Sequence, residues 1–218
     1  MMFNWQAVTG LVAGFLSLSG FLRYLISIYQ GKTRPNRVTW WVWAVVGLIL
    51  CSSYYSSESL NTIWVPASLA VGPLIIAICA IKYGEGGWSR FDQGCLLSAG
   101  ISLLLWWRFS SPAIALLINI VIDFLGALPT IKKSYYHPYS EDTLTWSIFL
   151  TANTLNLFAL KNWSFALSAY PFYLFCNTVV IVAFLFRPKI QSQTTSYKQR
   201  RRKINKRKTF LALIARFR

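Results

Sequence analysis

Seven stretches of this chain are apolar on nearly every side, at approximately 5–28, 40–57, 62–83, 92–109, 111–132, 143–160 and 163–186. Each is close to the ~20 residues that a helix needs to cross the hydrocarbon core of a bilayer. Segments such as LVAGFLSLSGFL and SLAVGPLIIAICAI leave almost no polar face, which a helix on a soluble protein requires. With 55% hydrophobic residues and a mean hydropathy of +0.45, the chain has more apolar surface than a soluble domain of 218 residues can hide. The expected class is therefore an all-α membrane protein with seven transmembrane helices. A soluble bundle of seven buried helices is the competing reading. The first segment has no basic leader and no cleavage-like site, so it reads as a span rather than a signal peptide.

Charge orients the spans. Lys32, Arg34 and Arg37 fall in the first loop, Lys82 and Arg90 in the third, and Lys132 and Lys133 in the fifth. The intervening loops hold only Arg108 and Lys161. Basic loops stay cytoplasmic, so this alternation predicts a multi-pass protein with its N-terminus outside and its C-terminus in the cytoplasm. Trp40, Trp41, Trp88, Trp106, Trp107 and Trp163 lie near span ends, where an interfacial aromatic belt is expected. Most of the net charge of +16 comes from the segment beginning at Arg187, which holds twelve of the 22 basic residues and no acidic one. Within it Arg200, Arg201, Arg202, Lys203, Lys206, Arg207 and Lys208 precede TFLALIARFR, whose Phe210, Leu213, Ile214 and Phe217 share one helical face. A basic run beside a short amphipathic helix predicts binding to anionic lipid headgroups. Nucleic acid is the weaker alternative, because no base-reading module accompanies the charge.

A shift of 106 positions superimposes SLSGFLRYLISIYQGKTRPNRVTW, from Ser17, on DFLGALPTIKKSYYHPYSEDTLTW, from Asp123. Gly20 then meets Gly126, Tyr29 meets Tyr135, and Thr39-Trp40 meets Thr145-Trp146. Both copies run from apolar helix through polar loop to a Thr-Trp that opens the next helix. Span four has no counterpart under the shift. The expected architecture is two parallel three-helix repeats, residues 1–86 and 111–187, joined by a connector helix at 87–110 and followed by the basic tail at 188–218. One extra crossing lets both odd-numbered units point the same way, and sites in such proteins lie between the repeats.

Asp123 is the one carboxylate inside an apolar run, where a charge costs about 2.5–3.5 kcal/mol on insertion scales and marks a solute or proton pathway. Asn119, one turn earlier, shares its face. The plainer reading is a packed aspartate bonded to Asn119 or to backbone. Asn153 aligns with Gly47. Matching Pro171 to Pro66 sets Asn177 on Gly72, so one copy is polar where the other is spacious. Trp43 is placed on the same pathway. Arg23 either snorkels to the headgroups or reaches Asp123, roughly 9 Å of helix rise away. Pro66, Pro73, Pro129 and Pro171 are candidate helix hinges. The four cysteines have no metal-ligand spacing, and His137 stands alone in a loop, so neither a metal or other cofactor nor an enzyme is expected.

The 3+1+3 plan over residues 5–187 resembles the PQ-loop superfamily, which includes the SWEET sugar transporters and the cystinosin-type exporters. IDFLGALP, from Ile122 to Pro129, is similar to the Asp-Phe-x-Gly-Gly segment of the cystinosin-type second PQ loop. That resemblance implies a proton-coupling role for Asp123 and a place in the solute site for Asn177. The Pro-Gln dipeptide itself is Pro129-Thr130 here and Arg23-Tyr24 in the first copy. The expected function is a carrier that moves a small polar solute, sugar-like or amino-acid-like, by alternating access with proton coupling. A non-transporting receptor or assembly partner of the same fold is the alternative, and a homo-oligomer is compatible with either.

Overall fold

The computed structural model of the protein describes residues 4–56, 64–86, 89–108, 112–165 and 167–187. The described residues fold into helices α1 (Trp5–Tyr29), α2 (Arg37–Ser56), α3 (Trp64–Tyr83), α4 (Arg90–Arg108), α5 (Pro112–Tyr136), α6 (Thr143–Phe158) and α7 (Leu167–Arg187). A single 3-10 turn, Pro138–Ser140, lies between α5 and α6, and no strand forms among these residues. The class is all-helical, as expected. By length and composition, α1 and α7 are long and apolar enough to cross a membrane. The tail residues from Arg200 to Lys208 lie outside the described residues, as do Trp88 and the side chains of Trp106 and Trp107.

Polar caps set several helix starts. Asn4 caps α1 by accepting from the Ala7 amide, and Asp142 caps α6 by accepting from the Thr145 amide at 2.9 Å. Asn36 accepts from the Thr39 amide at 3.2 Å, which starts α2 three residues before the apolar run. At the other extreme, α5 continues to Tyr136, so Lys133 belongs to its last turn and not to a loop.

Helix α1 packs on α6 and on α3, α2 packs on α3 and α5, and α4 packs on α5. On α1 the buried face is Gly10, Ala13, Gly14, Ser17, Gly20, Phe21, Tyr24 and Ser27, whereas Leu11, Phe15, Leu18, Leu22 and Ile26 are exposed. Small and polar residues thus face the other helices together with Phe21, Tyr24 and Ile28, while the exposed residues are mostly large and apolar. This is the reverse of a water-soluble helix and the packing rule of helices in lipid. The same inversion holds on α3, α4 and α5, where Ile78, Leu97 and Leu117 are exposed and Ser68, Asp92 and Asn119 are buried.

Small residues bring the helices together at defined points. A Cβ on Gly20 would stand 2.5 Å from the Phe149 ring of α6, and one on Gly126 would stand 2.5 Å from Val42 of α2. Gly47 lies against the carbonyl of Leu69 on α3. Pro73, four residues on, has no N–H to offer that carbonyl, so the close approach of α2 occurs where α3 has lost a backbone bond. Because the obstacle is backbone, Gly47→Ala should lower stability by about 1–3 kcal/mol. A thermal melt of the purified variant measures this, and an unchanged midpoint would contradict the contact. Pro66 lies near the start of the described part of α3. Pro73 and Pro129 do lie inside helices.

Candidate functional site

The interior contains a cavity with room of about 60 Å³ for the centres of water-sized molecules, enough for several waters or one small solute. Five aromatic side chains close one end in a ring. Phe21 packs on Trp40, Trp40 on Trp43, Trp43 on Trp146, Trp146 on Phe149, and Phe149 back on Phe21, with centroids 4.8–6.3 Å apart. Most of these pairs are edge-to-face, the arrangement that ring quadrupoles favour. Trp40 and Trp146 hold equivalent places, each three residues past the start of its helix. Trp40 is fully buried in this ring, which corrects its expected place in an interfacial belt; Trp41 and Trp163 are exposed.

Polar side chains line the cavity as well. Asp123 of α5 is only 4% exposed and lines the cavity with Ser17, Asn153 and Asn177. Its carboxylate accepts from the hydroxyls of Tyr170 at 2.6 Å and Tyr173 at 2.7 Å, both on α7. These are short charge-assisted bonds, and they fix the orientation of the carboxylate. Trp43 Nε1 donates to the Asp123 carbonyl oxygen at 3.3 Å, tying the aromatic ring to the same turn of α5. Asn153 Nδ2 donates to Thr178 Oγ1 at 2.8 Å, and Ser68 donates to Ser17 at 2.9 Å.

Of the residues expected on the pathway, Asp123, Asn153, Asn177 and Trp43 are brought together here. Asn119 is buried one turn from Asp123 but does not line the cavity, and its Oδ1 accepts no hydrogen bond among the described residues. Arg23 does not approach Asp123. It forms an ion pair with Asp142 at 3.0 Å, because α6 begins beside the C-terminal half of α1 and offers a nearer carboxylate. Burial opposes the charge of Asp142, but its bonds from the Thr145 amide and Ser27 and the nearby Arg23 guanidinium outweigh that and hold the carboxyl below its usual range. Pro73 lines the cavity, and Pro129 and Pro171 are buried on the helices that carry Asp123 and its tyrosines.

Beyond the aromatic ring lies a polar cluster that sequence reasoning missed. Glu141 is buried, with its side chain fully sheltered, and every bond it needs is made. Tyr24 donates to it at 2.8 Å, Trp146 Nε1 at 2.9 Å and Lys133 Nζ at 2.9 Å. Lys133 also donates to the Arg34 carbonyl and pairs with Glu85 at 3.2 Å. Arg37 binds the carbonyls of Ala80 and Gly86, and an isolated bridge joins Asn36 to Glu85. Tyr24 packs against both Trp40 and Trp146, so the charged cluster and the ring are contiguous. The available signals were Tyr170 and Tyr173, whose hydroxyls need partners in an apolar helix, and the acidic pair Glu141-Asp142 in a basic loop. No family model, no curated protein and no solved structure matches the chain.

Proposed function

We propose that this chain is a seven-span membrane carrier of the 3+1+3 plan, moving a small polar solute by alternating access with Asp123 as its proton-coupling group. The observation that carries the reading is the cavity wall: a buried carboxylate, held by two tyrosines, lines a cavity at the junction of helices from both halves of the chain. A carboxylate used only for packing has no need of a cavity.

The outward apolar faces and inward polar faces support a lipid surrounding for the whole bundle. The packing supports two related units. Under the 106-residue shift α1 corresponds to α5 and α2 to α6, so the α1–α6 and α2–α5 contacts are equivalents, and Gly20 and Gly126 mark the close approach in each. Ser17 and Asp123, equivalent positions, both face the cavity. The asymmetry between halves is functional in this reading. Gly47 and Asn153 both line the cavity, while the room left at Gly72 is filled by the Phe21 ring.

The plug of Glu141, Lys133, Tyr24 and the aromatic ring seals the cavity from the end that gathers the loops rich in Lys and Arg. That end is cytoplasmic by the positive-inside rule, and the N-terminus is outside. Alternation then requires the plug to open while the opposite end closes. The basic tail holds the anionic leaflet. The resemblance to PQ-loop carriers belongs to this reading as well.

Two experiments test it. A reporter fused after Arg218 should read cytoplasmic and one inserted near Ser57 external; finding both on one side overturns the seven-span arrangement. In proteoliposomes preloaded with unlabelled solute, a labelled solute that stabilises the protein should exchange inward. Binding without exchange would mark a receptor instead.

A further inference from the structure

We propose that the cavity takes a small organic cation, an amine or quaternary ammonium that carries no carboxylate of its own. The inference rests on the carrier reading for its transport but on the cavity wall for its chemistry. Among the described residues that line the cavity, Asp123 is the one formal charge, and no Lys, Arg or His joins it. The basic side chains of α1 and α5 are committed elsewhere, Arg23 to Asp142, Lys133 to Glu141, and Lys132 over the Phe91 ring. An anion would therefore meet a carboxylate and no cation. A zwitterionic amino acid could place its ammonium, but its carboxylate would be left unpaired in a desolvated space.

The hydrogen-bonding inventory points the same way. Asn153 Nδ2 is used by Thr178, whose own proton goes to the Leu174 carbonyl at 2.7 Å. Asn177 is 8% exposed, and its Oδ1 accepts nothing among the described residues. The wall thus offers a carboxylate, with the Asn177 side chain beside it in the lining, to a ligand that brings N–H donors. The ring of Trp40, Trp43, Trp146, Phe21 and Phe149 lines the same cavity. Indole faces are the strongest aromatic hosts for an ammonium, and their attraction grows when water is excluded.

The same carboxylate would then hold either the cation or a proton, never both. The titratable groups that face it are Tyr170 and Tyr173 from α7. The cavity residues contributed by α1, α2, α3 and α6 are Ser, Phe, Trp, Gly, Leu, Pro and Asn and do not titrate. Cation binding should weaken as pH falls and Asp123 takes up a proton. Exchange of one cation for one proton conserves charge.

Three probes of nearly one shape separate the possibilities: 2-aminoethanol, which is cationic at neutral pH, ethylene glycol, which is neutral, and glycolate, which is anionic. Each is titrated at millimolar concentrations into the detergent-purified full chain, with thermal midpoint and tryptophan fluorescence as readouts. The proposal expects saturable binding of 2-aminoethanol, about tenfold or more weaker binding of ethylene glycol, and none of glycolate. In Asp123→Asn the preference for the cation over ethylene glycol should vanish. The wild-type comparison alone decides the matter if that variant does not fold. Equal or stronger binding of ethylene glycol or glycolate, or no saturable binding of the cation, overturns it. A cation that binds but does not exchange into vesicles leaves this assignment standing and removes the carrier reading. A neutral solute that exchanges while 2-aminoethanol does not bind leaves the carrier and removes the assignment.

Discussion

Lys133→Met lowers the stability of the fold by about 3–5 kcal/mol, the usual cost of removing one partner from a buried ion pair. Lys133 is 7% exposed and Glu141 4%, so the carboxylate cannot turn to water when the ammonium is gone. Tyr24 and Trp146 still donate to it, but neither supplies the missing charge. The lysine also bonds the Arg34 carbonyl and pairs with Glu85, so its loss loosens the loops that follow α1 and α3. Adding Glu141→Gln to Lys133→Met should recover a large part of the loss, because the buried charge is then removed as well. Thermal or denaturant unfolding of the two single variants and the double variant measures the coupling. Additive effects would show that the pair is not a unit. In the carrier reading this cluster is also the plug that must open, so the double variant should leak solute through the basic end.

Asp123→Asn removes pH-gradient-driven accumulation while leaving the protein folded. An amide keeps the shape of the carboxylic acid and still accepts from Tyr170 or Tyr173, but it cannot bind and release a proton. Exchange of solute without a gradient is retained for a neutral solute and lost for a cation. A residue held only for packing gives a different pattern: Asp123→Asn would shift the melting midpoint and leave the pH profile of transport intact. Measuring both quantities on the same preparation separates the two.

The helices were legible because a long apolar run without strand-like alternation, bounded by polar loops, points to a buried or spanning helix. A polar cap or an amphipathic last turn extended helices at Asn36 and at Lys133, whereas α6 stops at Phe158, short of its apolar run, and Trp163 lies before α7. Asp123 stood out for the same reason, since a carboxylate is conspicuous inside an apolar run. Its partners did not. Tyr170 and Tyr173 lie 47 and 50 residues away, and nothing local specifies which helix face meets which. Arg23 illustrates the failure most directly. The repeat offset gave its height relative to Asp123, but the packing of α1 against α6 gave it Asp142, 119 residues along the chain. Trp40 misled in another way: a tryptophan near a helix end suits an interface, but this one lies on the inward face and joins four other rings. Glu141 was not singled out at all, because burial of a loop residue depends on how helix ends meet in space.

The central claim, a carrier that couples its solute to protons through Asp123, is tested most directly by solute-induced proton flux in proteoliposomes that enclose a pH-sensitive dye. With no imposed gradient, adding a solute that stabilises the protein should change the internal pH in wild-type vesicles. The change should saturate with solute concentration and be absent from vesicles bearing Asp123→Asn. A solute that binds and crosses with no pH change in the wild type, or an equal pH change in the variant, would contradict the account.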